Sequence, residues 1–232
     1  MGSHLGTLAA ARDLGREGIA IALADSSNRT LTGVSKFVSA FYQTPAPSDV
    51  EAFAHWLIHF GSKNPGYFLY PASDDLAWVI AHFQEELRKF FVLYQPKESA
   101  TYTLLNKEKL SQIASKLLIP TPKTWFPRSE EDILHLAKSL TYPVIIKPKT
   151  QIGLSIPCKG LVVYRAEDLR PAFKSFKNRY PYKKFMKAYD PSLSVPMVQE
   201  YLPHAPESII SISGFIDRSG EFHSFRSAIK RF

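Results

Sequence analysis

The stretch 141–160, TYPVIIKPKTQIGLSIPCKG, decides how this chain is read. Val144, Ile145 and Ile146 are apolar and β-branched, the composition of a buried strand. A buried strand ordinarily excludes lysine, yet this one runs directly into Lys147. Pro148 cannot donate to a ladder, so the strand is expected to leave its neighbour there. A polar loop with one glycine, Gly153, follows, and a second strand reads over Gly160–Tyr164. A lysine at a strand end, facing a loop that bridges to the next strand, can hold a polyanion from one side. Backbone N–H groups of the loop would hold it from the other. On this expectation Lys147 has no structural partner of its own.

The rest of the composition sets bounds. The chain has 232 residues, enough for one large domain or two to three small ones. Hydrophobic residues make up 45%, which supports a core and excludes a disordered chain. No apolar run reaches the roughly 18 residues that span a bilayer, so no membrane partner is expected. No signal peptide is visible, and the first residues, MGSH, resemble a vector scar. The single cysteine, Cys158, excludes an internal disulfide framework and fits a reducing, cytoplasmic location.

The formal net charge is +8, but the excess is local. Seven basic residues and no acidic one lie between Arg170 and Lys187; without them 22 basic residues face 21 acidic. Aromatics are interleaved in this patch (Phe173, Phe176, Tyr180, Tyr182 and Phe185), as on a nucleic-acid surface. An amphipathic helix with its aromatics in the core explains the same pattern and is preferred.

Along the chain, strands alternate with helices over the first 95 residues. The pattern predicts a helix at 7–16, a strand at 19–24, a short strand-like piece in KFVSAFYQTP (36–45) and a helix at 48–60. A strand ending at Tyr70, a helix from Asp74 to about Arg88 and a short strand at 91–96 follow. This order predicts a parallel sheet with helices on its faces. The strand expected ahead of the first helix is missing. Beyond Pro96 the pattern predicts helices at 99–105 and 107–118, then an irregular proline-rich IPTPKTWFP. Ser129 is expected to cap a helix to about Leu140, with Glu130, Glu131 and Asp132 in its first turn. A helix at 166–177, a strand in VPMVQEYL and a hairpin turning at Arg218-Ser219-Gly220 complete the pattern.

Several motifs carry little. Gly2, Gly6 and Asp25 only partly match a dinucleotide fingerprint, and a plain strand–helix turn is preferred. His55 and His59 are four apart on a helix but lack any further ligand pattern. Neither a nucleophile elbow nor a Walker P-loop occurs.

Three pieces at consistent spacing accompany VIIKP. Upstream, LLNKEKLSQIASKLLIPTPKTW opens a helix at Lys107. Downstream, VPMVQEYLP carries Gln199, Glu200, Tyr201 and Leu202, with Glu207 seven residues after Glu200. This series resembles the ATP-grasp superfamily, in its carboxylate–amine ligase branch related to carbamoyl-phosphate synthase large chains. The resemblance implies a Rossmann-like pre-ATP-grasp domain over 1–95, with its first strand missing. It places the N-terminal lobe of an ATP-grasp domain at 96–195 and the start of an incomplete C-terminal lobe at 196–232. The implied fold class is α/β followed by α+β.

The resemblance also implies roles. Lys107 and Lys147 would contact nucleotide phosphate, and the 149–158 loop, with Gly153 and Ser155, would be the flexible phosphate loop. Glu200 and Leu202 would read the adenine edge through backbone groups, and Glu207 would accept from the ribose hydroxyls. The cofactors would be ATP and Mg²⁺, with a small carboxylate as substrate; a homodimer is allowed. The loop keeps fewer glycines than the family pattern. The family's metal carboxylates have no match here, and Arg226, Lys230 and Arg231 are weak candidates for phosphate. A truncated chain, inactive alone, is therefore expected. The alternatives are a non-catalytic ATP- or partner-binding module of the same fold and a nucleic-acid-associated protein using the 170–187 patch.

Overall fold

The structure, a computed structural model, describes residues 4–217 and 219–229. Gly2, Arg218, Lys230 and Arg231 lie outside the described residues. In the N-terminal part, α1 (Leu5–Arg16) leads to β1 (Ile21–Asp25), which pairs in parallel with β2 (Val38–Gln43). α2 (Val50–Lys63) begins at Asp49, whose carboxylate accepts from the Ala52 N–H. α3 (Asp74–His82) begins at Ser73, whose hydroxyl accepts from the Leu76 N–H. Both caps satisfy N–H groups that a helix start leaves unpaired. The single helix expected over 74–88 breaks at Phe83 and resumes as α4 (Gln84–Leu87). The two strands expected near Tyr70 and Val92 are reduced to one parallel bridge, Phe68 to Val92. The parallel sense is as expected, but the pairing lies in two separate pieces.

The second part opens with α5 (Glu98–Leu105) and α6 (Lys107–Lys116). β3 (Thr124–Trp125) follows, a strand where proline content predicts none. After it come α7 (Glu130–Ala137), β4 (Val144–Lys147), β5 (Leu161–Val163) and α8 (Ala166–Arg179). Ser129 and Asp132 form a capping box at the start of α7. α9 (Lys184–Tyr189), unforeseen in the sequence, precedes β6 (Met197–Glu200), α10 (Ala205–Ser208) and the hairpin β7 (Ile210–Ile216)–β8 (Phe222–Ile229).

Four strands form one antiparallel sheet in the order β3-β6-β4-β5. Val144, Ile146 and Val198 join Ile133 of α7 and Leu169 and Phe173 of α8 in one buried cluster. Gly160 lets the chain return beside β4: its φ is +141°, and a Cβ there would meet Ile145 Cδ1 at 2.7 Å. The aromatics of the basic patch are also core. Phe173, Phe176 and Tyr182 are buried, and the Phe185 ring stacks on Trp78 with centroids 5.7 Å apart. Packing therefore accounts for their spacing.

Candidate functional site

Side chains alternate across β4. Val144 and Ile146 are fully buried, while Ile145 and Lys147 are half-buried and turn the other way. Lys147 Nζ donates to Gln199 Oε1 at 2.9 Å, and Gln199 Nε2 donates to Thr124 Oγ1 at 2.9 Å. Lys147 thus has a structural partner, contrary to expectation, because antiparallel pairing brings Gln199 of β6 onto its face. The partner is neutral and leaves the positive charge uncompensated. Burial holds the Lys147 ammonium below the ordinary lysine pKa.

Lys107 lies close enough to Lys147 to feel its charge. It is the first residue of α6, which Asn106 caps by accepting from the Glu108 and Lys109 N–H groups. The Lys107 N–H donates to the Lys149 carbonyl at 2.8 Å, tying the start of α6 to the end of β4. The Lys107 pKa is also depressed. Burial is the main cause and the neighbouring Lys147 charge the next, while the Asp74 carboxylate acts in the opposite sense. Neither lysine forms an ion pair among the described residues. Two partly desolvated like charges disfavour each other, and a polyanion between them reverses that cost.

A buried network, not foreseen from the sequence, supports this corner. Lys149 is 0% exposed. Its Nζ meets Glu108 Oε2 at 2.7 Å and donates to the Ser192 carbonyl at 3.1 Å. The other Glu108 oxygen accepts from Arg128 at 2.7 Å. Asp190 accepts from the Tyr102 hydroxyl at 2.7 Å, and Asn106 donates to that hydroxyl oxygen at 3.1 Å. The only hint in the sequence was a second lysine two residues after Lys147.

The 149–158 loop differs from the expected flexible flap. Ile152, Gly153, Leu154 and Cys158 are buried. The Gly153 N–H donates to Asp75 Oδ1 at 2.8 Å, and its carbonyl accepts from the Lys183 N–H at 2.8 Å. The Ser155 N–H donates to the Pro181 carbonyl at 3.0 Å, and Leu154 bridges to Tyr182. The amides of Thr150, Ile152 and Leu154 are likewise committed, to Tyr182 Oη, Thr150 Oγ1 and the Gln151 carbonyl. Apolar Ile152 and Leu154 anchor the loop where a glycine-rich sequence would leave it loose. Burial raises the Asp75 pKa, with the Gly153 N–H and Lys183 opposing.

At the other end of the β4–β6 ladder, Glu200 pairs with Val144 while Lys147 pairs with Met197. Three residues of strand, about 10 Å, separate the two ends. The Glu200 N–H donates to the Lys123 carbonyl, and its Oε1 accepts from the Lys123 N–H, each at 2.9 Å. The Leu202 carbonyl accepts from the Ala205 N–H at 3.1 Å. Glu207 is exposed on α10. The structure thus brings Lys107 and Lys147 together, sets Glu200 at the far end of the β4–β6 ladder with Leu202 two residues past it, and commits Gly153 and Ser155 elsewhere. Arg226 is exposed on β8.

No family model matches the chain, and no curated protein matches its sequence. Solved structures do match. N5-carboxyaminoimidazole synthetase from Staphylococcus aureus, complexed with ADP, aligns with a TM-score of 0.63 at 15% identity over 97% of this chain and 52% of that one. The chain has the ATP-grasp fold. Two other ATP-grasp structures agree. The biotin carboxylase domain dimer of Hydrogenobacter thermophilus 2-oxoglutarate carboxylase, with MgADP, ADP and bicarbonate, gives a TM-score of 0.61 at 14% identity, over 85% of this chain and 42% of that one. The L-amino acid ligase of Bacillus licheniformis gives 0.60 at 15% identity, over 91% of this chain and 44% of that one. The chain spans about half the length of these ATP-grasp proteins.

Among the described residues magnesium finds no fitting ligand set. Among the described residues, the one group of three potential ligands is Asp217, Glu221 and His223, at the turn of the β7–β8 hairpin. Asp217 Oδ1 already accepts from Ser219 and the Glu221 N–H, and Oδ2 lies 2.7 Å from His223 Nε2.

Proposed function

We propose that Lys107 and Lys147 together bind the phosphates of ATP. The chain is then the nucleotide-binding portion of a ligase that activates a carboxylate as an acyl-phosphate for attack by an amine or similar nucleophile. The neighbouring lysines carry this reading, because two partly buried ammonium groups that no ion pair neutralises among the described residues favour a polyanion. Adenine would lie toward Glu200 and Leu202, whose backbone can offer one acceptor and one donor, and Glu207 would face the ribose. The ADP and MgADP complexes of the structural neighbours support the nucleotide class. The domains would divide at residues 95 and 195.

Thermal melting tests the binding. ATP at a hundred times its dissociation constant stabilises by about 2.7 kcal/mol. For a chain of this length that raises Tm by roughly 5 to 10 °C. Adenosine, lacking phosphate, should give a much smaller rise. An equal rise with adenosine refutes the phosphate assignment.

One observation favours a second reading, a non-catalytic module. The loop amides from Ile152 to Ser155 all donate within the protein, so none is free for a γ-phosphate. If this closed loop is the working state, ATP binds without forming ADP in the presence of any carboxylate and amine. Carboxylate-dependent ADP formation, lost in Lys147→Ala, excludes the second reading.

A further inference from the structure

The basic segment 170–187 borders a cavity of about 90 Å³. Pro148 at the end of β4, Pro196 ahead of β6, Leu193 and the rings of Phe176 and Tyr182 line it, and all five are buried. Lys177 of α8 and Lys187 of α9 are exposed and line it too, and no acidic side chain does. The walls are held from outside the cavity. Tyr182 Oη donates to the Thr150 carbonyl at 2.8 Å and accepts from the Thr150 N–H at 3.2 Å. The 3₁₀ turn Pro191–Ser194, which carries Leu193, is capped by Asp190, and its Ser192 carbonyl accepts from the buried Lys149 ammonium. None of the seven basic side chains of 170–187 forms an ion pair among the described residues. Asp190, the next acidic residue in the chain, does not line the cavity; its carboxylate accepts from Tyr102 and Ser192.

We propose that this cavity and its basic rim dock an acidic segment of a partner protein through one apolar side chain. The cavity has roughly the volume of three water molecules in the liquid, room for one leucine- or phenylalanine-sized side chain. An apolar anchor seated in such a pocket supplies most of the affinity of a small interface. Walls already fixed by their own hydrogen bonds add little ordering cost. The charge of the occupant follows from the rim. Lys177 and Lys187 stand at the mouth, and Lys174, Arg179 and Lys184 are exposed on the same two helices. Uncompensated cations around an apolar cleft attract carboxylates and repel a basic partner. The same geometry disfavours nucleic acid. Phe176 and Tyr182 are walls of the cavity, Phe173 is core, and the Tyr180 ring packs on Phe176 with centroids 4.8 Å apart. The segment therefore lacks a platform of free rings for bases. This inference is independent of nucleotide binding.

Fluorescence anisotropy of the full chain with short labelled peptides tests this. The peptides carry glutamates on both sides of one central leucine, phenylalanine or serine. The leucine or phenylalanine peptide should bind about ten- to a hundredfold more tightly than the serine peptide. Raising the salt from about 50 to 200 mM should weaken that binding several-fold, because the rim is exposed. Lys177→Glu/Lys187→Glu should weaken it at least about tenfold. Both lysines are exposed, so this variant should keep the melting point of the parent. Ser194→Trp fills the mouth and should reduce the leucine peptide to the level of the serine peptide. Equal binding of the three peptides to the parent chain, no saturable binding below about 1 mM, or binding unmoved by the lysine variant refutes the proposal. A single-stranded oligonucleotide that binds more tightly than every peptide, and is lost in the lysine variant, refutes it by assigning the face to nucleic acid. A parent dimer that dissociates in that variant refutes it by assigning the face to a second copy.

Discussion

Glu108→Gln should destabilise this protein more than substitution of Lys107 or Lys147. Glu108 holds the fully buried Lys149 ammonium at 2.7 Å and Arg128 at 2.7 Å. Glutamine keeps the volume and removes the charge. Arg128 is exposed, so water replaces its partner at little cost. Lys149 is then left buried with only the Ser192 carbonyl. An uncompensated buried charge costs about 3 to 5 kcal/mol. For a chain of this size each kcal/mol lowers Tm by about 2 to 4 °C, so the drop should be roughly 6 to 20 °C. Differential scanning calorimetry measures it. The double variant Glu108→Leu/Lys149→Met removes both charges and should recover most of the loss, since replacing a buried pair by apolar groups is often neutral. A single variant melting within about 2 °C of the parent, or a double variant worse than the single, refutes the reasoning.

Further outcomes follow from the same geometry. Lys147→Ala strips Gln199 of one half-buried hydrogen bond, so the unliganded protein should lose about 1 kcal/mol, or roughly 2 to 4 °C in Tm; a collapse on melting would make Lys147 primarily structural. Both cleft lysines have pKa values below the unfolded lysine value, so their contribution to stability rises as pH increases through the folded values. Bound phosphate raises those values again, so ATP binding should take up protons at alkaline pH and weaken as pH rises. Calorimetry in buffers of different ionisation enthalpy detects this, and zero uptake counts against the lysines as ligands. The basic segment should not bind single-stranded nucleic acid tightly at physiological salt, because its aromatics are packed inward; submicromolar binding abolished by Lys183→Glu/Lys184→Glu would overturn that.

What was legible in the sequence was local. The run Val144–Lys147 reads as a strand, and its side chains alternate between the core and a half-buried face once neighbours are added. Ser129 announces α7 through a capping box within four residues. Lys107 and Lys147 were legible only as members of a spaced series, each weak alone. The Lys149–Glu108 pair was not legible, since it joins residues 41 positions apart that meet only after α6 docks on β4. The 149–158 loop, flexible by the family resemblance, is instead held down by its apolar residues Ile152 and Leu154, whose burial the resemblance does not address. Phe68 and Val92 have strand composition, but each pairs on one side only, so the expected ladders shrink to a bridge.

The central claim is that Lys107 and Lys147 together hold nucleotide phosphate. Isothermal titration of ATP into the parent chain, Lys107→Ala, Lys147→Ala and the double variant tests it most directly, with unliganded melting as the control for folding. A hydrogen bond to a charged group contributes about 1.5 to 3 kcal/mol. Each single variant should therefore bind ATP about ten- to a hundredfold more weakly, and the double variant should show no measurable heat. A folded double variant that binds ATP as tightly as the parent would contradict the account.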